Sequence, residues 1–227
     1  MEALKKAVLR TLAYADIFDY PLTAGEIYRF LIVDKTPAEP SFSRQLKQMV
    51  AVEERMKIDG QYFFLKNREE TVEERQRREK WSQSKMKIAQ RVGGWLRLIP
   101  SIKMVAVTGA LAMNNTEKED DIDLLIVTSR DRLWLTRLLA VCLVELVARR
   151  RHPSDLPAGK HGKQVEDKIC LNMFLDEGHL QVPQEERDLF TAHEVCQLKP
   201  IWERKNTYQK FLKENQWVKQ FLPNWKP

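Results

Sequence analysis

Along the first third of the chain, apolar residues recur at helical spacing. Leu4, Val8, Leu12 and Ala15 fall on one side of a predicted first helix. Phe18-Asp19-Tyr20-Pro21-Leu22 interrupts it. Thr23 then stands as N-cap of a second helix over Ile27 to Leu31, with Glu26 three residues on to complete a capping box. Pro37 to Pro40 reads as a loop, after which Ser41 or Ser43 caps a third helix through Val50. Met56 to Leu65 reads as strand, turn and strand, with Asp59-Gly60 as the hairpin signal.

From Arg68 to Leu98 the pattern is charge-rich and helical. Glu69, Glu70, Glu73 and Glu74 come early, and Arg75, Arg77, Arg78, Lys80, Lys85, Lys87 and Arg91 come late, an order that suits the helix dipole. Glu74 and Arg78 form a favourable i,i+4 pair. The expectation is a solvated helix linking two domains. Gly93-Gly94 and Pro100 punctuate the entry to the second. Ile102 to Val107 is a short, apolar, β-branched run ending at Thr108-Gly109, a buried strand entering a tight turn. Asp121 to Val127 is a second such run. Ser129 is read as the cap of an apolar helix from roughly 132 to 150, expected to be buried across the sheet. Leu133 to Val147 within it is short for a membrane span and is interrupted by Thr136, Arg137 and Glu145. In the loop from His152 to Gln164, Lys160, His161 and Lys163 are candidates to reach phosphates or a substrate, although such residues on surface loops are more often only solvated. Gln184 to Gln197 and Tyr208 to Leu222 are predicted as helices, and the spacing of Phe211 and Trp217 favours core packing of the tail's aromatics, Trp202 and Phe221 included, over base stacking.

The chemistry-bearing residues cluster between Val105 and Val127. A glycine at position 109 lets the backbone approach a ligand closely. The two-residue repeat of a strand puts Asp121 and Asp123 on one face, where two carboxylates can hold a hard divalent cation. Mg²⁺ takes oxygen ligands, keeps several waters, and is commonly held by one or two carboxylates plus the phosphates of a nucleotide. The turn at Gly109 offers backbone N–H groups to phosphate oxygens.

This strand, glycine turn, spacer and Asp-x-Asp strand resembles the minimal nucleotidyltransferases of the DNA polymerase beta superfamily, over roughly residues 99 to 185. Thr108-Gly109-Ala110 stands where that family has Gly-Ser or Gly-Gly, and Asp121-Ile122-Asp123 where it has its metal-binding pair. The resemblance implies Mg²⁺ on Asp121 and Asp123, a nucleoside triphosphate held at Thr108, Gly109 and Ala110, and transfer of a nucleoside monophosphate to an acceptor hydroxyl of unspecified identity. Ala110 has no hydroxyl for a phosphate oxygen, a duty Thr108 can take. The family's third carboxylate sits on a later strand. Here the candidate strand is Ile169 to Leu175, whose middle holds Asn172 as a neutral oxygen ligand, with Asp167 and Asp176 flanking it; the sequence leaves the choice among them open. A different reading of the same departures is a nucleotide-sensing or DNA-associated regulatory protein that keeps the fold without turnover, and another is an antitoxin-like enzyme that modifies a partner protein.

Three helices followed by a hairpin is the order of a winged helix, and Ala15 to Leu31 resembles its helix-turn-helix half. Arg44, Lys47, Lys57 and Lys66 are set against Glu53, Glu54 and Asp59, a near-neutral balance that favours a packing or protein-contact module over specific DNA binding. The expected fold class is therefore α/β (α+β): a winged-helix-like domain over 1–67, a linker helix over 68–98, a nucleotidyltransferase-like mixed sheet with flanking helices over 99–185, and a helical extension over 186–227.

Composition adds bounds. At 227 residues the chain is long enough for one large or two small cores. A net charge of +6 is compatible with a nucleotide partner and does not require one. Cys142, Cys170 and Cys196 are widely spaced in apolar surroundings and read as core residues of a reducing compartment. With His152, His161, His179 and His193 scattered, no structural zinc is expected. Lys5, Lys6 and Arg10 break any signal-like run at the start, so a cytoplasmic location without membrane attachment is expected.

Overall fold

The computed structural model describes residues 2–33, 39–155 and 165–227. Lys160, His161 and Lys163 lie outside the described residues. The chain divides into two compact units, one of residues 1–77, 187–196 and 217–227 and the other of residues 78–186 and 197–216.

In the first unit, helix α1 (Glu2–Asp16) buries Ala7, Val8, Thr11, Leu12 and Ala15. A short strand β1 (Leu22–Thr23) leads into α2 (Ala24–Arg29), whose start is fixed by the expected box: the Glu26 amide donates to Thr23 Oγ1 at 3.3 Å, and the Thr23 amide donates to the Glu26 carboxylate at 2.8 Å. Helix α3 (Glu39–Val52) precedes a hairpin of β2 (Met56–Asp59) and β3 (Tyr62–Leu65), turned by Gly60 at φ +55. The antiparallel sheet order is β1-β3-β2. Arg75, on the first part of α4 (Glu70–Leu96), is buried here. It forks onto both Glu26 oxygens at 2.7 and 2.9 Å and lies over the rings of Tyr20 and Tyr62. Burial pushes the Glu26 carboxyl up, and the hydrogen bonds and charge of Arg75 outweigh this, leaving it below its ordinary value.

The second unit is built on a four-stranded mixed sheet in the order β6-β5-β4-β7. Strand β4 (Ile102–Val107) pairs antiparallel with β5 (Ile122–Thr128) on one side and with β7 (Lys199–Glu203) on the other, while β6 (Ile169–Asp176) pairs parallel with β5. The near-continuous apolar runs of β4 and β5 suit strands buried on both faces. The tail expected to be helical thus carries a strand. Its Pro200 pairs with Ala106 beside a register shift on the sheet's edge, the position a strand proline tolerates. Before and after it in sequence, α7 (Leu189–Gln197), which falls almost wholly in the first unit, and α8 (Thr207–Glu214) are helical, and Phe211 and, in the first unit, Trp217 are buried as expected.

Further features differ from the sequence expectations. From residue 78 onward α4 is built into this unit rather than solvated: Arg78, Ser82, Lys85, Ala89, Val92 and Leu96, spaced by four and three, are all buried. Gly93 lies inside the helix, where a Cβ would come within 2.8 Å of Ile201 Cδ1 on β7. After the four-residue α5 (Gly109–Ala112), the apolar α6 (Leu133–Val147) buries only the stripe Thr136, Ala140 and Val144, and leaves Trp134 79% and Leu146 83% exposed. Ser129 does not cap it; the Ser129 hydroxyl donates instead to the Ser101 carbonyl. Of the three free cysteines only Cys196 is a core residue, Cys142 being exposed on α6 and Cys170 half-buried on β6. No helix among the described residues is long and apolar enough to cross a membrane.

His193 of α7 is buried in the first unit between Tyr14 and Phe30, with ring centroids 4.2 and 5.3 Å away. Burial pulls its pKa down to about 4. The neutral ring is the folded form, so its contribution to stability is complete above about pH 6.5 and is lost as pH falls through the unfolded value toward the folded one, by roughly 3 kcal/mol in full. Denaturant unfolding of wild type and His193→Phe at pH 7 and at pH 4 checks this, and a wild-type-minus-variant difference independent of pH contradicts it.

Candidate functional site

The ladder between β4 and β5 aligns Val107 with Leu124, so the residues just beyond Val107 meet those just before Leu124. The Thr108 amide donates to the Asp123 carbonyl at 3.1 Å. Gly109 follows at φ +61, and a Cβ there would stand 3.2 Å from Asp123 Oδ2. A residue with a side chain would be strained and crowded at this position, which explains the glycine. Asp121 lies one residue before β5 and Asp123 is its second residue, and their carboxylates converge as expected.

The third member of the cluster is one the sequence reading passed over. Parallel pairing aligns Asp123 with Cys170 of β6, and one ligand atom each of Asp121, Asp123 and Cys170 lie within 4.8 Å of one another. A register shift follows immediately on β6, and Asn172, two residues beyond Cys170, is exposed. The two flanking carboxylates are engaged elsewhere. Asp167 receives Lys85 Nζ at 2.9 Å, and Asp176 accepts the amides of Asp131 and Gly178 at 2.7 Å each.

Electrostatically the cluster is divided. Burial first, and then the charge of Asp121, raise the Asp123 pKa, while a hydrogen bond from Cys170 and the charge of Arg151 oppose the rise. Burial and the Asp123 carboxylate push the Cys170 thiol up to about 12, so by itself the group is a neutral S–H donor. Arg151 Nη1 donates to Asp121 Oδ2 at 2.6 Å. Arg151 thus bonds Asp121 directly and also favours the charged form of Asp123, beside the Cys170 hydrogen bond.

The loop leading to Asp121 is held by the polar part of the α4 stripe. Arg78 reaches Asn115 and Glu117, Ser82 bonds Thr116 at 2.8 Å, and Lys85 Nζ, 2% exposed, donates to the carbonyls of Lys118 and Asp120 at 2.9 and 2.8 Å. A buried ammonium is tolerated only when its donors are satisfied. Here the three acceptors of Lys85 are two carbonyls from the 118–120 loop and one carboxylate from the residues entering β6. That couples the positions of Asp121 and Cys170.

Two observations bear on whether a cation and a nucleotide fit here. The Thr108 hydroxyl is buried with no hydrogen-bond partner among the described residues, an acceptor and donor left over at the turn. The glycine leaves its backbone bare beside Asp123. The two carboxylates fit a divalent cation, and the sulfur departs from an all-oxygen set. A separate cleft lined by Arg130, Glu177, Gly178, His179, Lys210 and Glu214 lies beyond the other ends of β5 and β6 and includes none of these residues.

Because burial raises the Asp123 pKa, ionising it costs stability: nothing is lost below the ordinary aspartate value of about 3.9, and the penalty grows as pH rises through the folded value. In metal-stripped protein, Asp123→Asn is expected to raise the thermal midpoint near pH 7 and to leave it unchanged near pH 3. A lowered midpoint at pH 7 contradicts this. Lys85→Met is expected to destabilise by about 2 kcal/mol, since it removes all three hydrogen bonds of the ammonium and leaves two part-buried carbonyls and the Asp167 carboxylate without that donor; urea unfolding measures it, and a loss under about 1 kcal/mol overturns the anchoring role.

No protein-family model and no curated protein matches the sequence. Among solved structures, the chain is similar to a toxin-antitoxin crystallised with AMP-PNP, at 14% identity and a TM-score of 0.27 over 60% of this chain and 88% of that one. It is also similar to a mutant of the toxin-antitoxin MntA-HpeT, at 11% identity and a TM-score of 0.25 over 61% of this chain and 89% of that one.

Proposed function

We propose that the second unit is a nucleotidyltransferase that binds a nucleoside triphosphate at the Thr108-Gly109-Ala110 turn and passes its nucleoside monophosphate to an acceptor hydroxyl with release of pyrophosphate. The observation that carries this reading is the abutment of a positive-φ glycine turn and a convergent carboxylate pair, with the Thr108 amide bonded to the Asp123 carbonyl and the open side of Gly109 facing the Asp123 carboxylate. The bare turn at Gly109 lets phosphate oxygens approach main-chain N–H groups, which at the start of a helix lack intrahelical acceptors. Thr108 supplies the hydroxyl that Ala110 lacks. Asn172, exposed on β6, is assigned to the nucleotide rather than to the metal. A divalent cation held by Asp121 and Asp123, Mg²⁺ in the resemblance, neutralises phosphate charge and lowers the pKa of an attacking hydroxyl. Arg151, bonded to Asp121, balances part of the carboxylate charge at this site. The first unit, with its helices and β1-β3-β2 sheet, is assigned to a winged-helix-like module. Its near-neutral charge favours a protein contact over DNA.

A second reading is favoured by one feature, the thiol where a third carboxylate is expected. A chain that binds a triphosphate without turning it over is a nucleotide sensor. Binding of a fluorescent triphosphate analogue with and without divalent cation, run beside pyrophosphate release over a panel of hydroxyl acceptors, separates them. The leading reading expects cation-dependent binding, pyrophosphate release, and loss of both by about a hundredfold in Asp121→Asn with Asp123→Asn. Binding without pyrophosphate favours the sensor. Binding that ignores both cation and the double variant overturns both.

A further inference from the structure

Where Asp123 meets its ladder partner on β6, the chain places sulfur. Cys170 Sγ lies within 4.8 Å of a carboxylate oxygen of Asp121 and one of Asp123, and its S–H is hydrogen-bonded to Asp123. Ligand atoms around one tetrahedral zinc ion stand about 3.5 Å apart, so closing this set takes side-chain shifts on the order of 1 Å. The cluster is also not free-standing. It lies against the Gly109 turn, next to the unpartnered buried hydroxyl of Thr108, and Lys85 fixes both chain segments that supply it.

The donors differ in hardness. Mg²⁺ takes oxygen and binds thiols poorly, whereas thiolate ligands select zinc-class ions. We propose that Cys170 makes this a centre of two carboxylates and one thiolate that takes a borderline divalent cation of the zinc or cobalt class in preference to Mg²⁺. The inference rests on reading Asp121 and Asp123 as metal ligands and changes the ion they hold. Charge supports it: two carboxylates and a thiolate carry three negative charges, which a divalent cation and the Arg151 guanidinium cancel. On binding, the S–H bond breaks, a sulfur–metal bond forms, and the proton leaves to solvent; no electron is transferred. A metal-bound thiol is deprotonated outright because the ion stabilises the sulfur charge.

Cobalt titration of the metal-stripped full chain reads this directly, with Cys142→Ser in every sample to remove the exposed thiol. The expected result is a saturable thiolate-to-cobalt charge-transfer band in the near ultraviolet, abolished by Zn²⁺ and not by a roughly hundredfold excess of Mg²⁺. Cys170→Ser is expected to remove the band. Cys170→Asp, which restores an oxygen donor, is expected to shift the Zn²⁺ to Mg²⁺ affinity ratio toward Mg²⁺ by at least about tenfold. Saturable Mg²⁺ binding with no sulfur band overturns the inference and leaves the nucleotidyl-transfer reading intact. No binding of any of the three cations overturns both. A band that survives in Cys170→Ser puts the sulfur elsewhere and also overturns it. Absence of the band in the Cys142→Ser protein overturns the inference without any further variant, and a band there that is lost in either Cys170→Ser or Cys170→Asp supports it.

Discussion

The site depends on strand register. Two pairings, Val107 with Leu124 across β4 and β5 and Asp123 with Cys170 across β5 and β6, bring a glycine turn, two carboxylates and a thiol to one end of the strands of a mixed sheet. A slip of one residue in either ladder would send a strand's side chains to the opposite face. The near-complete burial of β4 and β5 keeps the first pairing in place, because any slip exposes part of the core formed by Val105, Val107, Leu124 and Ile126. The second pairing is tied by Lys85, which holds Asp120 at the entry to β5 and Asp167 at the entry to β6.

Helix α4 shows how one amphipathic pattern can serve two purposes. Its buried stripe in the second unit begins polar, with Arg78, Ser82 and Lys85, and ends apolar, with Ala89, Val92 and Leu96. The apolar part seals the sheet. The polar part meets the 115–120 loop, where apolar side chains would strand backbone carbonyls. Burying an ammionium group is costly, so Lys85 is a stability liability unless all its acceptors stay in place, and this ties the integrity of the helix to the geometry of the acidic cluster.

Much of this was legible in the sequence because it rests on local rules. The Thr23–Glu26 box, the Asp59-Gly60 hairpin, the two apolar strands and the convergence of Asp121 and Asp123 each follow from spacing within a few residues. What was not legible depends on distant pairing. Cys170 was passed over because the parallel register of β6 and its shift after Asp123 cannot be counted from one strand. Arg78 and Lys85 read as solvated cations because their acceptors lie on a loop more than thirty residues on. The strand Lys199–Glu203 was hidden by its proline, and α6 looked fully buried because its composition is apolar on every side while the sheet covers only one stripe.

The most direct test of the account is diffraction from crystals grown with a non-hydrolysable nucleoside triphosphate and a divalent cation that scatters anomalously. The account predicts an anomalous peak bonded to Asp121 and Asp123, with the phosphates against the Gly109 turn. A triphosphate seated in the cleft of Arg130 and Lys210, with no peak between the two aspartates, would contradict it.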